Sequence, residues 1–340
     1  MARTTVYNSI TNEDSLSKIL QENRELMDDF LDYLRSIDRS EGTIVQYRSD
    51  LKIFFVWNAE LNKNKRFTEI TKREFARFQS HAMNEWQWSP KRVRRVKSAL
   101  SSLSNYIEDI LDEEEEYEGY RSVVRKIENP VNEPVREKTI ISDEEVQMVL
   151  DKLVENGKYQ VACVFALAAF GGARKSELLR YKVSYFNEEN IMKDAALYRT
   201  PEKIKTKGRG KNGKMLYKYT LLDFKKYYDL WMNERKEKNF LDNEFLFIRQ
   251  VDGGTLTTAA FDSYTDMISE ILGKPFYFHS LRHQLCSRLF RIGLPSDVIQ
   301  EYFGWSSSEM LQIYNDNEAS ESFGKFFTND GIKGSDVNGF

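Results

Sequence analysis

Apolar residues recur at helical spacing over the first third of the chain. From Ser15 onward they keep one face of a predicted helix, made by Leu16, Ile19, Leu20, Leu26, Phe30, Leu31 and Leu34. After the break at residues 40–42, Thr43 is a candidate N-cap for a second helix. The same spacing predicts helices over Thr71–Met83 and Ser89–Leu111. Four helices predict an all-α bundle over residues 15–128, after a polar tail at residues 1–14 that we expect to be flexible.

A break with two prolines separates this bundle from a second region that mixes helices and strands. Residues 129–141 are predicted as a linker, because Asn129–Pro134 cannot continue a helix. A new helix begins after Ser142, where Glu145 completes a capping box. Further helices are predicted over Val161–Phe170, Arg174–Tyr181, Asp223–Lys238 and Thr257–Leu272, and from His279 and Pro295 onward. Two runs, Tyr198–Thr206 and Met215–Leu222, flank a glycine-containing segment and predict a β-hairpin. The chain is therefore predicted to be mainly α with a small β-hairpin, in an all-α N-terminal domain and a mixed α/β domain over residues 142–318.

Composition narrows the class of protein. The chain has 340 residues, 41% of them hydrophobic, with six prolines and 17 glycines, which excludes a disordered or fibrous chain and suits two domains. Its two cysteines, Cys163 and Cys286, lie in apolar stretches and read as reduced, buried thiols. Cys/His spacing for a metal, a signal-peptide apolar segment and a membrane-length apolar run are all missing from the sequence. We expect a soluble, cytoplasmic protein with no metal and no cofactor.

The distribution of charge matters more than its total. The net charge is −3, but Glu108–Glu118 alone carries eight carboxylates, which we interpret as a solvated helix end. Nine basic residues lie between Glu202 and Lys226, namely Lys203, Lys205, Lys207, Arg209, Lys211, Lys214, Lys218, Lys225 and Lys226. A second group lies on the helix after Ser89, namely Lys91, Arg92, Arg94, Arg95 and Lys97. Two basic surfaces in different domains predict a clamp on the phosphates of double-stranded DNA, with a solvated basic turn as the alternative. The expected DNA contacts are the five residues of that helix together with Lys203, Arg209, Lys211 and Lys214.

Three motifs in the second region carry a resemblance to a known family. Gly171–Leu178 contains Arg174 and Glu177, His279–His283 reads H-x-x-R-H, and Trp305 precedes Tyr314 by nine residues. Together, in this order and with the basic hairpin between the first two, they resemble the boxes of the tyrosine recombinases, the phage integrase family. The resemblance covers about residues 142–314 and extends more weakly over the helical region before the linker. It resembles the two-domain Cre/Xer-like type, because residues 1–20 are too few for a separate arm-binding domain.

The resemblance implies a role for each matching residue. Tyr314 would attack the scissile phosphate, Arg174 and Arg282 would clamp its oxygens, and Trp305 would donate its indole N–H. His279 would bond the phosphate and assist proton movement, and Lys207 would protonate the leaving 5′-oxygen. Lys205 remains open as the alternative acid, because alternation along a strand places it on the same face as Lys207. Glu177 and His283 are expected to support the catalytic groups rather than to contact DNA.

The predicted function is site-specific DNA recombination, by integration, excision or resolution, through a covalent 3′-phosphotyrosine. A bacterial, phage or mobile-element source is expected, with no membrane partner. The resemblance also implies a homotetramer on two DNA sites and a monomer or weak oligomer in the free state. Residues 319–340, with Phe323, Phe326 and Phe327, are predicted as a C-terminal helix and tail that dock on a neighbouring protomer, packing within the same chain being the alternative. The functional alternatives are DNA relaxation of the type IB topoisomerase kind and a catalytically silent DNA-binding accessory protein.

Overall fold

The computed structural model describes residues 10–131, 140–207 and 213–305, together with the backbone of the short strands at 327–328 and 331–332. Two compact units divide the chain between Glu137 and Lys138. The described part of the first unit is helical, and that of the second is mixed, as the sequence pattern predicted. No helix in the described part of the chain combines the length and the apolar character needed to cross a lipid bilayer.

The first unit contains five α-helices among its described residues. They are α1 (Glu13–Ser17), α2 (Gln21–Ser36), α3 (Glu41–Leu61), α4 (Lys72–Asn84) and α5 (Pro90–Ile110), with short 3₁₀ turns at Phe67–Glu69, Glu115–Tyr117 and Val124–Lys126. The predicted first helix is in fact two, because Asn64 bonds the backbone at Lys18 and Leu20 and interrupts it there. Ser40, not Thr43, caps α3, and Ser89 caps α5 as predicted.

An aromatic cluster fills the core of this unit. Phe54 on α3 stacks on Phe75 with ring centroids 5.3 Å apart and meets Phe78 edge-on at 5.0 Å. All three rings are buried, and Trp57 and Phe67 pack against the same cluster. Burying several large rings against one another supplies this unit with an apolar core of its own.

The second unit is built around one helix that is buried on all sides. Among the described residues its helices are α6 (Asp143–Glu155), α7 (Tyr159–Gly171), α8 (Lys175–Leu178), α9 (Lys225–Glu237), α10 (Ala260–Leu272), α11 (Phe278–Arg291) and α12 (Ser296–Phe303), with 3₁₀ turns at Val183–Phe186, Glu188–Asn190 and Leu222–Phe224. Every residue from Gln160 to Gly171 is buried, and α6, α9 and α11 all pack on α7. A helix that is apolar all round requires such enclosure. The capping box of Ser142 and Glu145 opens α6, as predicted.

The helix predicted over Arg174–Tyr181 is shorter than expected. It ends at Leu178, and the chain then runs extended, with the Val183 N–H donating to the Glu244 carbonyl at 2.9 Å. The Tyr181 carbonyl accepts from the Leu246 N–H at 2.8 Å. Pairing with this distant segment competes with continued helix, and a single sequence pattern does not reveal it.

The predicted hairpin is present as two antiparallel pairs with an irregularity. Strand β1 (Leu197–Arg199) pairs with β4 (Tyr219–Leu221), and β2 (Ile204–Lys207) pairs with β3 (Lys214–Leu216). Lys205 lies opposite Met215 and Lys207 opposite Lys214, so the register shifts by one residue at Thr206. Such a β-bulge breaks the strict alternation of faces. The alternation on which the expectation for Lys205 and Lys207 rested is therefore interrupted between these two residues.

A small strand pair near the C-terminus corrects another expectation. Phe327–Thr328 (β5) pairs with Gly331–Ile332 (β6) in antiparallel register. The sequence predicted that Phe327 would belong to a C-terminal helix, whereas it lies in a strand, a conformation that the β-branched Thr328 and Ile332 favour. Phe323 and Phe326 lie outside the described residues.

Candidate active site

Arg174 stands where the buried helix α7 ends and the single turn α8 begins. Its Nη1 donates to Glu177 Oε1 at 2.6 Å, and its backbone N–H donates to Glu177 Oε2 at 3.0 Å. The Arg174 side chain is 31% exposed, whereas Glu177 is fully buried. The structure thus brings Glu177 onto Arg174, as their spacing predicted, and leaves part of the guanidinium facing outward.

A buried lysine completes this ion pair from the other side. Lys218 Nζ lies 3.0 Å from Glu177 Oε2, and both side chains are buried. Burial opposes ionisation of Glu177, but Lys218 and Arg174 outweigh it, and the pKa of the carboxyl is lowered from its usual value. Sequence analysis counted Lys218 among the basic residues of the hairpin surface. That placement was wrong, because the side chain points into the protein.

Arg282 connects the three motif segments from within the core. Its side chain is 2% exposed. Nη1 donates to the Gly172 carbonyl at 2.6 Å, and Nη2 donates to the Phe303 carbonyl at 2.8 Å. Its guanidinium carbon also lies 5.3 Å from the Trp305 ring centroid. One side chain therefore joins the ends of α7 and α12 to the helix that carries the H-x-x-R motif.

Two glycines of the motifs are required by close packing. Gly172 ends α7 at a positive φ of 58°, and a Cβ there would lie 2.4 Å from the Phe303 ring. Gly304 ends α12 at a φ of 65°, and a Cβ there would lie 2.1 Å from Leu216 Cδ1. Glycine adopts such φ values without strain and brings the segments together.

The two histidines of the second motif contact each other, and the tryptophan of the third motif packs on a neighbouring ring. His279 is exposed in the first turn of α11, and its ring meets the half-buried His283 edge-on at 4.5 Å. Trp305 stacks on Phe303 with ring centroids 4.8 Å apart. An exposed imidazole at a helix N-terminus can take or release a proton at an anionic ligand.

The hairpin reaches the same part of the unit through backbone contacts. Arg180 Nη1 donates to the Lys205 carbonyl at 3.1 Å, just before the bulge. Lys214 Nζ donates to the Gly304 carbonyl at 2.9 Å, next to Trp305. Lys203 is exposed, with its ammonium 5.7 Å from the Tyr217 ring centroid. Strand β2, which carries Lys205 and Lys207, is thus bonded to Arg180 just after the first motif, and its partner β3 is bonded to the third motif.

Several basic residues of α5 make contacts within the first unit. Arg95 makes a two-bond contact with the buried Asp50, at 2.8 and 3.0 Å, and Arg94 Nε donates to the Pro130 carbonyl at 2.9 Å. Lys97 donates to the Ile127 carbonyl, and the Arg92 guanidinium lies 3.8 Å from the centre of the Trp88 ring. Lys91 is exposed. Contact of these residues with DNA stays a prediction.

Three expected site residues lie outside the described part of the chain, namely Arg209, Lys211 and Tyr314, and only the backbone of Lys207 is described. Another tyrosine near the third motif, Tyr302, is buried, and its hydroxyl donates to the Phe170 carbonyl at 2.6 Å. Burial raises the pKa of Tyr302 well above its usual value, which makes it a poor nucleophile. Within residues 10–131, 140–207 and 213–305, no three His, Cys, Asp or Glu side chains gather as a metal site requires.

Comparison with known proteins identifies related chains over both units. A model of the phage integrase family matches residues 140–321, and a model of the phage integrase N-terminal SAM-like domain matches residues 26–114. The SPbeta prophage-derived recombinase-like protein YomM of Bacillus subtilis (strain 168) is 28% identical over 284 residues, 82% of each chain.

Two solved structures show the same fold. One is the XerH site-specific recombinase bound to its palindromic difH substrate in a post-cleavage complex. It has a TM-score of 0.58 and 18% identity, over 92% of this chain and 97% of that one. The other is a lambda integrase tetramer bound to a Holliday junction. It has a TM-score of 0.60 and 16% identity, over 86% of this chain and 76% of that one.

Proposed function

Because this chain belongs to the phage integrase family and is a tyrosine site-specific DNA recombinase, we propose that Tyr314 is its nucleophile. The observation that carries the proposal is the convergence of the family's motifs on Arg282, which is bonded to Gly172 and Phe303 and lies beside Trp305. Tyr314 follows Trp305 by nine residues in the same segment. The buried Tyr302 offers no alternative hydroxyl.

In the proposed reaction, the Tyr314 oxygen attacks the scissile phosphorus and the bond from phosphorus to the 5′-oxygen breaks. Arg174 stabilises the charge on the non-bridging oxygens, because its guanidinium is always ionised and presents paired donors, and Arg282 positions the motif segments and acts on the same phosphate. His279 receives the tyrosine proton, and Lys207, or Lys205 in its place, protonates the departing 5′-oxygen. Trp305 contributes its indole N–H, while Glu177 and His283 hold the neighbouring groups. The 3′-phosphotyrosine retains the energy of the broken bond, so a 5′-hydroxyl can reseal the strand by the reverse steps.

The assembly belongs to the same proposal. Residues 15–128 act as a core-binding domain and residues 142–318 as the catalytic domain, joined by the linker 129–141. DNA contacts come from Lys91, Arg92, Arg94, Arg95 and Lys97 of the first and Lys203, Arg209, Lys211 and Lys214 of the second. Four protomers join two DNA sites and exchange strands through a Holliday junction, as the lambda integrase tetramer supports by its shared fold. The free protein is a monomer or weak oligomer, and a cytoplasmic location remains the prediction.

Strand exchange tests the proposed function directly. The DNA site is first obtained by incubating the native chain with a randomised duplex library, denaturing the mixture and sequencing the protein-linked DNA. Two differently labelled duplexes with the selected site should then yield Holliday junctions and recombinant strands. Tyr314→Phe should bind the same duplex with similar affinity and form neither. Relaxation of supercoils without exchange would instead indicate a topoisomerase, and DNA binding without a covalent product would indicate an accessory protein.

A further inference from the structure

Lys218 is a buried basic residue whose backbone is fixed between two strands. It lies between β3 and β4, and its side chain is 1% exposed. Its N–H donates to Thr200 Oγ1 at 3.1 Å, and its carbonyl accepts from the Thr200 N–H at 2.9 Å. The ammonium group is therefore delivered to one place inside the unit. An ammonium is costly to bury unless a carboxylate compensates it.

The carboxylate of Glu177 lies between two cations. Oε1 accepts from Arg174 Nη1 at 2.6 Å, and Oε2 lies 3.0 Å from Lys218 Nζ. Oε2 also accepts from the Arg174 backbone N–H at 3.0 Å. Each oxygen thus has its own cation, and the orientation of the carboxylate is fixed. Only Arg174 of these three side chains is substantially exposed.

We propose that Lys218 is a positioning residue of the recombinase, which occupies Glu177 Oε2 so that the Arg174 guanidinium is held by Oε1 alone. The inference rests on the proposed function, since it assigns Arg174 to the scissile phosphate. Without Lys218, both oxygens of Glu177 would be available to the Arg174 guanidinium, and a two-bond pair would draw it away from the phosphate. Lys218 also offsets the negative charge of Glu177 and so preserves the positive field of the site.

Other charges around this lysine support the same role. Burial lowers the pKa of Lys218, and the positive charges of Arg282 and Arg174 act in the same direction, against Glu177. The pKa of Tyr181 is raised by its burial and by the charge of Glu177, so this hydroxyl is a further titratable group near that carboxylate. Lys218 is therefore held in place by Glu177 against two neighbouring cations. Removing Lys218 would raise the pKa of Glu177, because the charge of that lysine is the largest influence that favours the carboxylate form.

The experiment compares DNA cleavage by the native full chain and by Lys218→Met, which keeps the length of the side chain and removes its charge. The probe is a nicked suicide duplex of the sequence selected by covalent capture with the native chain. At saturating duplex, we expect Lys218→Met to cleave about tenfold more slowly or worse, with a Kd for the duplex within about threefold of the native value. Lys182→Met is the matched control, because Lys182 also forms ion pairs, but with Glu202 and Glu244, which belong to none of the three motifs. It should cleave at the native rate.

The pH profile separates positioning from a merely structural role. Loss of Lys218 raises the pKa of Glu177, so the acid limb of the cleavage rate should move to higher pH in Lys218→Met. The double variant Lys218→Met/Glu177→Gln buries neither charge and should show no such limb. It should also cleave no more slowly than Lys218→Met, because the lysine acts through Glu177.

Each result has a distinct meaning. A native rate and profile in Lys218→Met would overturn the role of Lys218. So would a double variant that is slower than the native chain by the product of the effects of Lys218→Met and of Glu177→Gln measured alone. If Lys218→Met does not fold, the double variant still answers the question when it is compared with Glu177→Gln alone, because slower cleavage by the double variant would show that Lys218 does not act through Glu177. Absence of any covalent adduct with the native chain would instead refute the proposed function.

Discussion

Arg282 combines a structural task with a proposed catalytic one. The guanidinium donates to the carbonyls of Gly172 and Phe303, which belong to segments about 110 and 21 residues away in sequence. Arg174 differs, since its side chain is 31% exposed and its guanidinium donates to the Glu177 carboxylate. Arg174 is thus partly exposed and Arg282 is buried. Substitution of each by lysine should therefore affect the stability of the fold to different extents.

We predict that Arg282→Lys lowers both stability and cleavage, whereas Arg174→Lys mainly lowers cleavage. An ammonium cannot bond both carbonyls that Arg282 holds, and a buried carbonyl left without its donor costs about 1–3 kcal/mol. Thermal unfolding should show a Tm several degrees lower for Arg282→Lys and a smaller change for Arg174→Lys. Cleavage of the selected duplex should fall about 100-fold or more in both. Equal Tm values for Arg282→Lys and the native chain would contradict the structural role.

A capping box formed by Thr71 and Glu74 begins helix α4 and makes its stability depend on pH. Glu74 accepts from the N–H and the hydroxyl of Thr71, both at 2.9 Å, and pairs with Lys65 at 2.7 Å. Burial raises the pKa of Glu74, but Lys65 and Thr71 outweigh it and lower the pKa from 4.5 to about 2. The carboxylate therefore stabilises the fold above its unfolded pKa and stops doing so as the pH falls through about 2.

We predict that Glu74→Gln lowers the free energy of unfolding by about 1 kcal/mol at pH 7, because the amide cannot replace the ion pair and caps less well. Urea unfolding of the full chain at a series of pH values should show this difference shrinking between pH 4.5 and about 2. A difference that stays constant over that range would mean that ionised Glu74 does not stabilise the helix.

The bulge in β2 separates the two lysines that sequence analysis could not tell apart. Lys205 lies before Thr206 and pairs with Met215, and Lys207 lies after it and pairs with Lys214. The extra residue interrupts the alternation between the two positions, so alternation gives no ground for treating the two lysines as equivalent. Replacing each lysine separately can therefore identify which of the two is the general acid.

We predict that Lys207→Ala cleaves slowly and is rescued by a duplex whose 5′-leaving oxygen is replaced by sulfur. Sulfur departs without protonation, so the acid is no longer needed. Cleavage rates on the oxygen and sulfur duplexes measure the rescue, with Lys205→Ala as the paired variant. Rescue of Lys205→Ala alone would identify that lysine as the acid, and rescue of neither would remove the hairpin from proton transfer.

Local signals predicted most elements, but tertiary contacts decided the rest. Ser89, Ser142 and Thr71 cap helices where the sequence placed helix starts, since capping depends on neighbouring residues. The break before α2 depends on Asn64, more than 40 residues away, and α8 ends early because the chain pairs with residues 244–246. At the site, spacing revealed the contact of Arg174 with Glu177. It did not reveal Lys218, because burial of a charged residue depends on a partner distant in sequence.

At the scale of the whole molecule, each of the two units has its own apolar core, and family models match both. Each unit also carries basic residues, which under the proposed function bind DNA. The family membership establishes recombination, while the tetramer and its contacts remain proposals. The segment after Tyr314 is the natural place to test them.

We predict that deleting residues 319–340 leaves binding to a single DNA site within about threefold of native and sharply reduces synapsis and recombination. The apolar side chains of that segment would stabilise contacts between protomers once DNA brings them close. Gel shifts with one and two labelled sites measure the two steps separately. Loss of single-site binding or of folding would show that the segment packs within its own chain.

The most direct test of the account is to identify the residue that becomes joined to DNA. The native chain is trapped on the nicked suicide duplex, digested with nuclease and protease, and analysed by mass spectrometry of the nucleotide-bearing peptide. The account predicts a 3′-nucleotide on Tyr314, and an undiminished adduct in Tyr302→Phe, because the Tyr302 hydroxyl is buried against Phe170. A nucleotide on any other residue, or an adduct that persists in Tyr314→Phe, would contradict it.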